Sequence, residues 1–203
     1  MSAVVPQFIA RMHCYTVDGR VVPSVTEVLA PLCDFRGVPI HALRAAAAFG
    51  TAVHKACELD DLGALDEGTL DAQLAGHLHA WRTFCKEHGA HWKLVEAPLF
   101  NADMGYAGTV DRYGVVDGVD AVVDLKTTSR LYPSVGPQLA AYARAIPATT
   151  ARTRRLAVQL HASGHYQLRE YDSPSDWAVF ASLLTLRNFC QQHRITPYYG
   201  RRP

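Results

Sequence analysis

The sequence lacks an excess of either charge, since its 203 residues include 20 lysines and arginines and 19 aspartates and glutamates, giving a net charge of +1. A protein that binds nucleic acid through a large phosphate footprint is usually strongly basic. Any nucleic-acid contact here therefore has to come from a local basic surface and from bound metal. Arg152, Arg154 and Arg155 form one basic run and Arg201-Arg202 another. Arginine suits bidentate phosphate contacts, but a solvated loop and tail explain both runs equally well.

Cysteine is scarce and is not arranged in a pattern. The chain has five cysteines, with no CxxC pair and no zinc-ligand spacing. This favours reduced, mostly buried thiols over a disulfide framework or a structural zinc site. The five are Cys14, Cys33, Cys57, Cys85 and Cys190.

Long apolar runs are missing as well. No segment is long enough to span a bilayer, and the N-terminus has no basic segment followed by an apolar stretch. We therefore expect an intracellular protein that makes no membrane contact.

Several catalytic signatures are absent. The chain has no HExxH motif, no phosphate-binding P-loop and no GxSxG turn, which disfavours zinc-protease, ATPase and serine-hydrolase chemistry. The remaining histidine pairs, His77 with His79 and His161 with His165, are expected to be surface or packing groups. Internal repeats, low-complexity tracts and obvious linkers are absent too.

The order of predicted elements indicates one α/β domain over residues 1–203, with a sheet flanked by helices. Its parts are an N-terminal hairpin with helices (10–90), a sheet core (91–171) and a C-terminal helix (173–193). The predicted elements are a hairpin of Met12 to Val17 and Arg20 to Val22, a capping box at Ser24 to Glu27 that opens a helix to about Leu32, helices Ile40 to Asp61 and Leu70 to His88, a strand Trp92 to Phe100, a second hairpin described next, a helix Pro133 to Ala145, strands Leu156 to His161 and Tyr166 to Tyr171, and a helix Asp176 to Gln192.

The second hairpin is the most informative segment. Tyr106 to Val116 and Val119 to Thr127 are rich in strand-forming residues, and the Asp117-Gly118 pair between them is typical of a two-residue type I′ turn. Such a turn pairs Val116 with Val119. By extension it predicts that Asp111 faces Asp124, with Lys126 on the same side.

Two carboxylates that face each other across a sheet repel, at a cost of about 0.2–1 kcal/mol. A divalent cation bound by both would relieve that repulsion. The plain alternative is a solvent-facing strand in which Lys126 forms an ordinary cross-strand ion pair, and it predicts no dependence on metal. Only four lysines occur in the chain, and Lys126 lies in a valine-rich strand.

Two helical pairs have a spacing that places both members on one face. His54 and Glu58 are four residues apart in one predicted helix, and so are Gln138 and Tyr142 in another. Imidazole is a good ligand for Mn²⁺ and other transition metals, and carboxylates suit Mg²⁺. The alternative for His54 is a half-buried histidine that bonds a neighbouring carboxylate. The alternative for Gln138 and Tyr142 is that they are ordinary polar or packing groups.

Taken in order, these segments resemble the PD-(D/E)xK nuclease superfamily, in the branch that contains the RecB-type nuclease domain and lambda-type phage exonucleases. The resemblance covers about residues 15 to 145. The matching segments are the opening Tyr15 to Leu29, the Gly50 to Glu58 helix with its histidine, Asp111, the Asp124-Leu125-Lys126 triplet, and Gln138 to Tyr142.

The resemblance implies a restriction-endonuclease-like core with a central mixed sheet. It assigns metal binding, of one or two Mg²⁺ or Mn²⁺ ions, to His54, Asp111, Asp124 and the Leu125 carbonyl, and catalysis to Asp111, Asp124 and Lys126. Supporting or substrate-binding roles fall to Gln138 and Tyr142, and also to Glu96 and Glu58. Glu96 is equally well explained as a surface glutamate, and Glu58 as a partner of His54, a ligand through water, or an exposed residue. An iron–sulfur cluster is not expected, because only Cys190 lies near the C-terminus.

The resulting hypothesis is a metal-dependent DNA nuclease, with exonuclease action favoured, that serves recombination, replication or end processing in the cytoplasm of a bacterium or phage-infected host. Expected partners are single- or double-stranded DNA, and a recombination or replication protein and an oligomeric state are both allowed. The alternative is a nucleic-acid-binding or assembly module that keeps the fold without turnover. RNA also stays open, because nothing in these motifs reads a 2′-hydroxyl.

Overall fold

A computed structural model describes residues 5–9 and 14–196 of the chain. Met12 and His13 of the first predicted hairpin, and the Arg201-Arg202 run, lie outside the described residues. The strands are β1 (Gln7–Ile9), β2 (Cys14–Val17), β3 (Arg20–Val22), β4 (His91–Asn101), β5 (Tyr106–Val116), β6 (Val119–Lys126), β7 (Arg154–Leu160) and β8 (Tyr166–Glu170). The helices are α1 (Val25–Leu29), α2 (Ile40–Asp61), α3 (Ala72–Glu87), α4 (Val135–Ala145) and α5 (Ser175–His193).

The main sheet has five strands in the order β4-β5-β6-β7-β8. Neighbouring strands are antiparallel except β6 and β7, which are parallel and joined by the crossover that contains α4. The predicted α/β fold with a mixed sheet flanked by helices is therefore confirmed.

Helices cover both faces of this sheet. On one face, α1, α4 and α5 contribute Val28, Leu139 and Phe180 to a buried cluster that also contains Val122 of β6. On the other face, α2 and α3 pack against alternate positions of β6, including Val123. Burial on both faces explains why the central strands have nearly continuous apolar sequences rather than an alternating pattern.

The local signals in the sequence correspond to the observed element boundaries. The Ser24 side chain accepts from the Glu27 N–H, and the Glu27 side chain accepts from the Ser24 N–H, so the predicted capping box opens α1. At the second hairpin, Asp117 and Gly118 both have positive φ (52° and 76°), as a type I′ turn requires. The turn pairs Val116 with Val119, as predicted.

A separate three-stranded sheet, β1-β2-β3, lies at the N-terminal end of the described chain. The sequence predicts β2 and β3 but not β1, which has only three residues. This small sheet is attached to the main one at β5, because Tyr15 OH and Thr109 Oγ1 form a 2.8 Å hydrogen bond and Ser24 forms an isolated bridge with Ala107.

Within residues 5–9 and 14–196, no helix is a candidate for spanning a membrane. Every helix there is either too short or too polar to cross a bilayer.

Candidate metal centre

The centre is built around Asp111, at a point where β5 loses its regular pairing with both neighbours. Toward β4, the paired positions pass from Val95↔Arg112 to Ala97↔Val110 and skip Asp111 and Glu96. Glu96 has a φ of 42°, in the left-handed region that residues other than glycine seldom adopt. Such strain is characteristic of functional sites.

Toward β6, the ladder ends at Arg112↔Val123. The predicted register therefore holds along the whole ladder, but the ladder stops one residue short of the predicted Asp111–Asp124 pair. The reason is that the Asp111 carboxylate takes over a backbone donor, because the Leu125 N–H donates to Asp111 Oδ2 at 2.7 Å. Both carboxylates nevertheless line the same cavity.

Asp124 and Lys126 lie side by side on β6, as predicted. Lys126 Nζ donates to Asp124 Oδ1 at 2.9 Å, and to Gln138 Oε1 of α4 at 3.3 Å. Burial raises the pKa of Asp124 above its ordinary value, with Lys126 opposing the shift. For Lys126, burial acts to lower the pKa, but the negative charges of Asp124 and Asp111 have the larger effect. The pKa of Lys126 is therefore raised, and the ammonium stays charged.

His54 reaches this cluster from α2. Its Nε2 lies 3.1 Å from the Leu125 carbonyl oxygen, and its Nδ1 lies 3.4 Å from Glu96 Oε1 and 3.7 Å from Asp111 Oδ1. Burial of the ring opposes protonation, but the Asp111 and Glu96 carboxylates outweigh it and raise the pKa of His54 to about 9. Of the predicted set, His54, Asp111 and Asp124 line one cavity and the Leu125 carbonyl contacts His54, but the ligand atoms that lie within 4.8 Å of one another belong to His54, Asp111 and Glu96, not to Asp124.

Glu96 and Glu58, the two glutamates with predicted supporting roles, have different surroundings. Glu96 faces His54 and, with His54 and Asp111, forms a group whose potential ligand atoms all lie within 4.8 Å of one another. Glu58 lies one turn after His54 on α2, and its Oε2 instead accepts a 2.9 Å hydrogen bond from Lys55 Nζ. Of the two, Glu96 is the carboxylate that joins the centre.

A buried arginine, which sequence reasoning did not single out, supports Glu96 from behind. Arg112 is fully buried; its Nε donates to Asp61 Oδ2 at 2.6 Å and its Nη1 to Glu96 Oε1 at 3.0 Å. Nη1 also donates to the Asp111 carbonyl at 2.6 Å, and the guanidinium lies over the Trp81 ring. An arginine in the buried strand β5 was the available signal, because a buried charge needs a partner.

Gln138 and Tyr142 lie on the same face of α4, as their spacing predicted. Gln138 Nε2 donates to the Tyr142 hydroxyl at 3.4 Å, and its Oε1 accepts from Lys126. Burial, together with the Asp111 and Asp124 carboxylates, holds the pKa of Tyr142 well above its ordinary value. Tyr142 is therefore a neutral hydrogen-bond donor at any ordinary pH.

The basic run at the start of β7 forms ion pairs inside the molecule. Arg154 pairs with Asp117 at 3.0 Å and with Glu170 at 2.9 Å, and Arg155 pairs with Asp176 at 3.0 Å. Arg154 and Arg155 therefore fit neither of the two alternatives, since both lie in β7 rather than in a solvated loop and both are paired within the molecule rather than free for phosphate. Arg152 is exposed.

These side chains surround a cavity of about 240 Å³. Charged groups of the centre line it, together with aromatic rings and hydroxyls from the N-terminal sheet and α1. The lining residues are Phe8, Tyr15, Ser24, Val25, Thr26, His54, Gly108, Thr109, Asp111, Asp124, Lys126, Gln138 and Tyr142.

The donor set fits a divalent cation. Carboxylate and carbonyl oxygens suit Mg²⁺ and Mn²⁺, and one imidazole is compatible with Mn²⁺. Asp124 Oδ2 is buried and, although it lies 2.7 Å from Lys126 Nζ, has no partner with hydrogen-bond geometry among the described residues. Such an oxygen is a suitable ligand, whereas His54, whose pKa is raised to about 9, has to lose the proton on its Nδ1 before that nitrogen can bind a metal.

Comparisons with known proteins add no assignment, because no protein-family model matches the chain and a search of curated proteins gives no match.

Proposed function

We propose that the protein is a metal-dependent deoxyribonuclease with a restriction-endonuclease-like core. The observation that carries this proposal is the convergence of His54, Asp111 and the Asp124–Lys126 pair on one cavity, with the Leu125 carbonyl in contact with His54. Exonuclease action in phage or bacterial recombination, replication or end processing belongs to the same proposal. Its support is the order of motifs along the chain.

His54, Asp111, Asp124 and the Leu125 carbonyl would hold Mg²⁺ or Mn²⁺. When bound, the metal lowers the pKa of a coordinated water and polarises the scissile phosphate. Glu96 lies close enough to His54 and Asp111 to add a further carboxylate ligand.

The chain's own side chains supply positioning and charge. Lys126 is held between Asp124 and Gln138, so its ammonium can orient an attacking water or stabilise negative charge that develops on the phosphoryl oxygens. Gln138 fixes Lys126 from the α4 side. The neutral Tyr142 hydroxyl can donate to a phosphate oxygen.

The test is cleavage of single- and double-stranded DNA labelled separately at the 5′ and 3′ ends, with Mg²⁺, Mn²⁺ or EDTA. We expect cleavage in either metal and none in EDTA. Lys126→Ala should reduce kcat by about 10²–10³-fold, the usual loss when a group that stabilises transition-state charge is removed.

Lys93→Ala is the matched control, because Lys93 is an exposed lysine of the same sheet that pairs with Asp120, away from the cavity. It should cleave like the wild type. DNA binding by the wild type without cleavage in either metal would refute the enzyme and favour a non-catalytic nucleic-acid-binding module.

A further inference from the structure

Helix α4 lines two cavities with different residues. Gln138 and Tyr142 line the candidate metal centre, whereas Ala140, Ala143 and Arg144 line a second cavity of about 460 Å³. The loop between α4 and β7, the start of β7 and the first turn of α5 complete this second cavity, and no residue lines both. Its volume lies within the range of ligand-binding cavities, about 300–1,000 Å³. The second cavity is therefore a separate candidate site.

The second cavity has one uncompensated positive charge. None of the described residues that line it is acidic, and two are arginines, Arg144 and Arg155. The charge of Arg155 is already balanced, because its Nη1 lies 3.0 Å from Asp176 Oδ2. The exposed Arg144 forms no ion pair within residues 5–9 and 14–196, and its guanidinium carbon lies 5.2 Å from the centroid of the Trp177 ring. Arg144 is therefore the residue available to an anion.

The loop before β7 adds hydrogen-bond donors to the same cavity. Thr150 Oγ1 accepts from the Arg152 N–H at 3.2 Å, and Thr153 Oγ1 accepts from the Thr150 N–H at 2.9 Å. These bonds use the hydroxyl oxygens as acceptors, and neither hydroxyl donates to an acceptor in the described part of the chain. Both hydroxyl hydrogens are thus left for a ligand. A phosphate group fits this set, because it is anionic and accepts several hydrogen bonds.

We propose that the second cavity binds a phosphate group, held by Arg144 and by the Thr150 and Thr153 hydroxyls, outside the candidate metal centre. The phosphate belongs to the DNA strand on which the enzyme acts, and this choice of ligand rests on the proposed nuclease function. Inorganic phosphate or a mononucleotide offers the same group. A guanidinium binds phosphate oxygens in a bidentate manner. Arg144 thereby supplies local positive charge in a protein whose net charge is only +1.

Tryptophan fluorescence measures this binding without catalysis. Trp177 lies beside Arg144, whereas the other two tryptophans, Trp81 and Trp92, pack in the cluster on the opposite face of the main sheet. In EDTA, the wild type is titrated with inorganic phosphate, a deoxynucleoside monophosphate and a single-stranded oligonucleotide. A phosphate group bound to Arg144 should change the emission, and Trp177→Phe should remove that change.

Arg144→Met tests the proposed contact. It should raise the Kd of the oligonucleotide about tenfold, as for loss of one hydrogen bond to a charged group. Between about 50 and 200 mM salt, the slope of log Kobs against log salt should become shallower by about 0.7, the contribution of one phosphate contact on a single strand. Arg144→Lys keeps the charge and should keep the slope, and circular dichroism verifies that each variant is folded.

Arg169→Met is the matched control. Arg169 is also exposed, lies 5.0 Å from the centroid of the Tyr171 ring and forms no ion pair with a described residue, but it does not line the second cavity. Its loss should leave both the Kd and the salt slope at the wild-type values.

The outcomes separate the source of the phosphate from the existence of the site. Oligonucleotide binding that depends on Arg144 supports the DNA strand, and dependence on Arg144 for the two small titrants alone supports a free phosphate compound at the same site. Equal Kd values and slopes in the wild type, Arg144→Met and Arg169→Met, or no Trp177 signal with any titrant, would overturn the proposal. Arg144 would then only stabilise the C-terminal turn of α4. Absence of cleavage refutes the nuclease proposal separately, because these titrations contain no metal.

Discussion

At the scale of single residues, the centre depends on a charge that does not face the cavity. Arg112 is the buried cation between Asp61 and Glu96, and it also bonds the Asp111 carbonyl. Burial raises the pKa of Asp61 even though Arg112 opposes that shift, which shows how poorly solvated this carboxylate is. Without the guanidinium, Asp61 would keep only the Trp81 N–H as a partner and Glu96 only His54.

Removing this cation should be costly. We expect Arg112→Met to lower the free energy of unfolding by about 3–5 kcal/mol, because breaking a buried pair from one side leaves unpaired buried charge. Urea denaturation of the two proteins in EDTA measures the difference.

Arg154→Met is the control for this change. Arg154 also bridges two carboxylates, Asp117 and Glu170, but these are close to half exposed, at 44% and 45%. Its loss should cost at most about 1 kcal/mol, as for surface ion pairs. Equal losses in the two variants would contradict a special role for the buried network.

Part of the site could be predicted from the sequence. Asp111, Asp124, Lys126, Gln138 and Tyr142 were predictable because they lie on one hairpin and one helix, where spacing decides which side chains share a face. The partners of Glu96 were not, since its left-handed φ and its contact with Arg112 depend on two strands and a helix packed in three dimensions. Glu58 is a different case. Its helical spacing predicted a position near His54, but the hydrogen-bond partner of its carboxylate is Lys55.

At the scale of elements, local rules predicted most boundaries. The type I′ turn at Asp117-Gly118 and the capping box at Ser24 are signals complete within a few residues, and both elements occur where predicted. The β5–β6 ladder keeps the predicted register and ends at Arg112, beyond which the Asp111 side chain competes with the backbone for the Leu125 N–H. A register counted from the turn assumes backbone-to-backbone hydrogen bonds, so it cannot predict where a side chain replaces a backbone acceptor.

Close packing of α3 is another feature that only the tertiary structure reveals. At Gly76 an added Cβ would lie 1.9 Å from the Ala162 carbonyl oxygen in the β7–β8 turn. Glycine is thus required there by a neighbouring backbone and not by its own conformation. This contact fixes how α3 lies against the sheet that carries the centre.

Gly76→Ala should therefore destabilise the protein, although alanine is favoured over glycine within a helix by about 1 kcal/mol. We expect a loss of about 1–3 kcal/mol, the usual cost of overpacking a close contact. Thermal or urea unfolding of the variant measures it.

The neighbouring exposed position provides the comparison. Ala75→Gly changes an exposed residue of the same helix and should cost only the intrinsic difference, about 1 kcal/mol. An increase in stability in Gly76→Ala would show that the Ala162 turn moves away, and the tight packing would then not constrain α3.

At the scale of the whole molecule, the centre lies where three layers meet. The carboxylates come from the main sheet, His54 from the helices on one face, Gln138 and Tyr142 from a helix on the other, and Phe8 from the small N-terminal sheet. The ligand set of the cavity therefore exists only in the fully folded chain. Binding of metal to this set should stabilise the entire fold, because the unfolded chain does not bring these groups together.

This coupling gives a test of the centre that does not depend on catalysis. Mn²⁺ at about 100 times its Kd should stabilise the wild type by about 2.7 kcal/mol, which corresponds to a rise in Tm of roughly 5–10 °C for a chain of this size. Asp124→Asn should abolish most of the rise, whereas Asp120→Asn, which changes a half-buried carboxylate of the same strand paired with Lys93, should keep it. Differential scanning fluorimetry in Mn²⁺, Mg²⁺ and EDTA measures all three proteins. Identical wild-type melting curves in the three conditions, or an undiminished rise in Asp124→Asn, would refute a metal centre at this cavity.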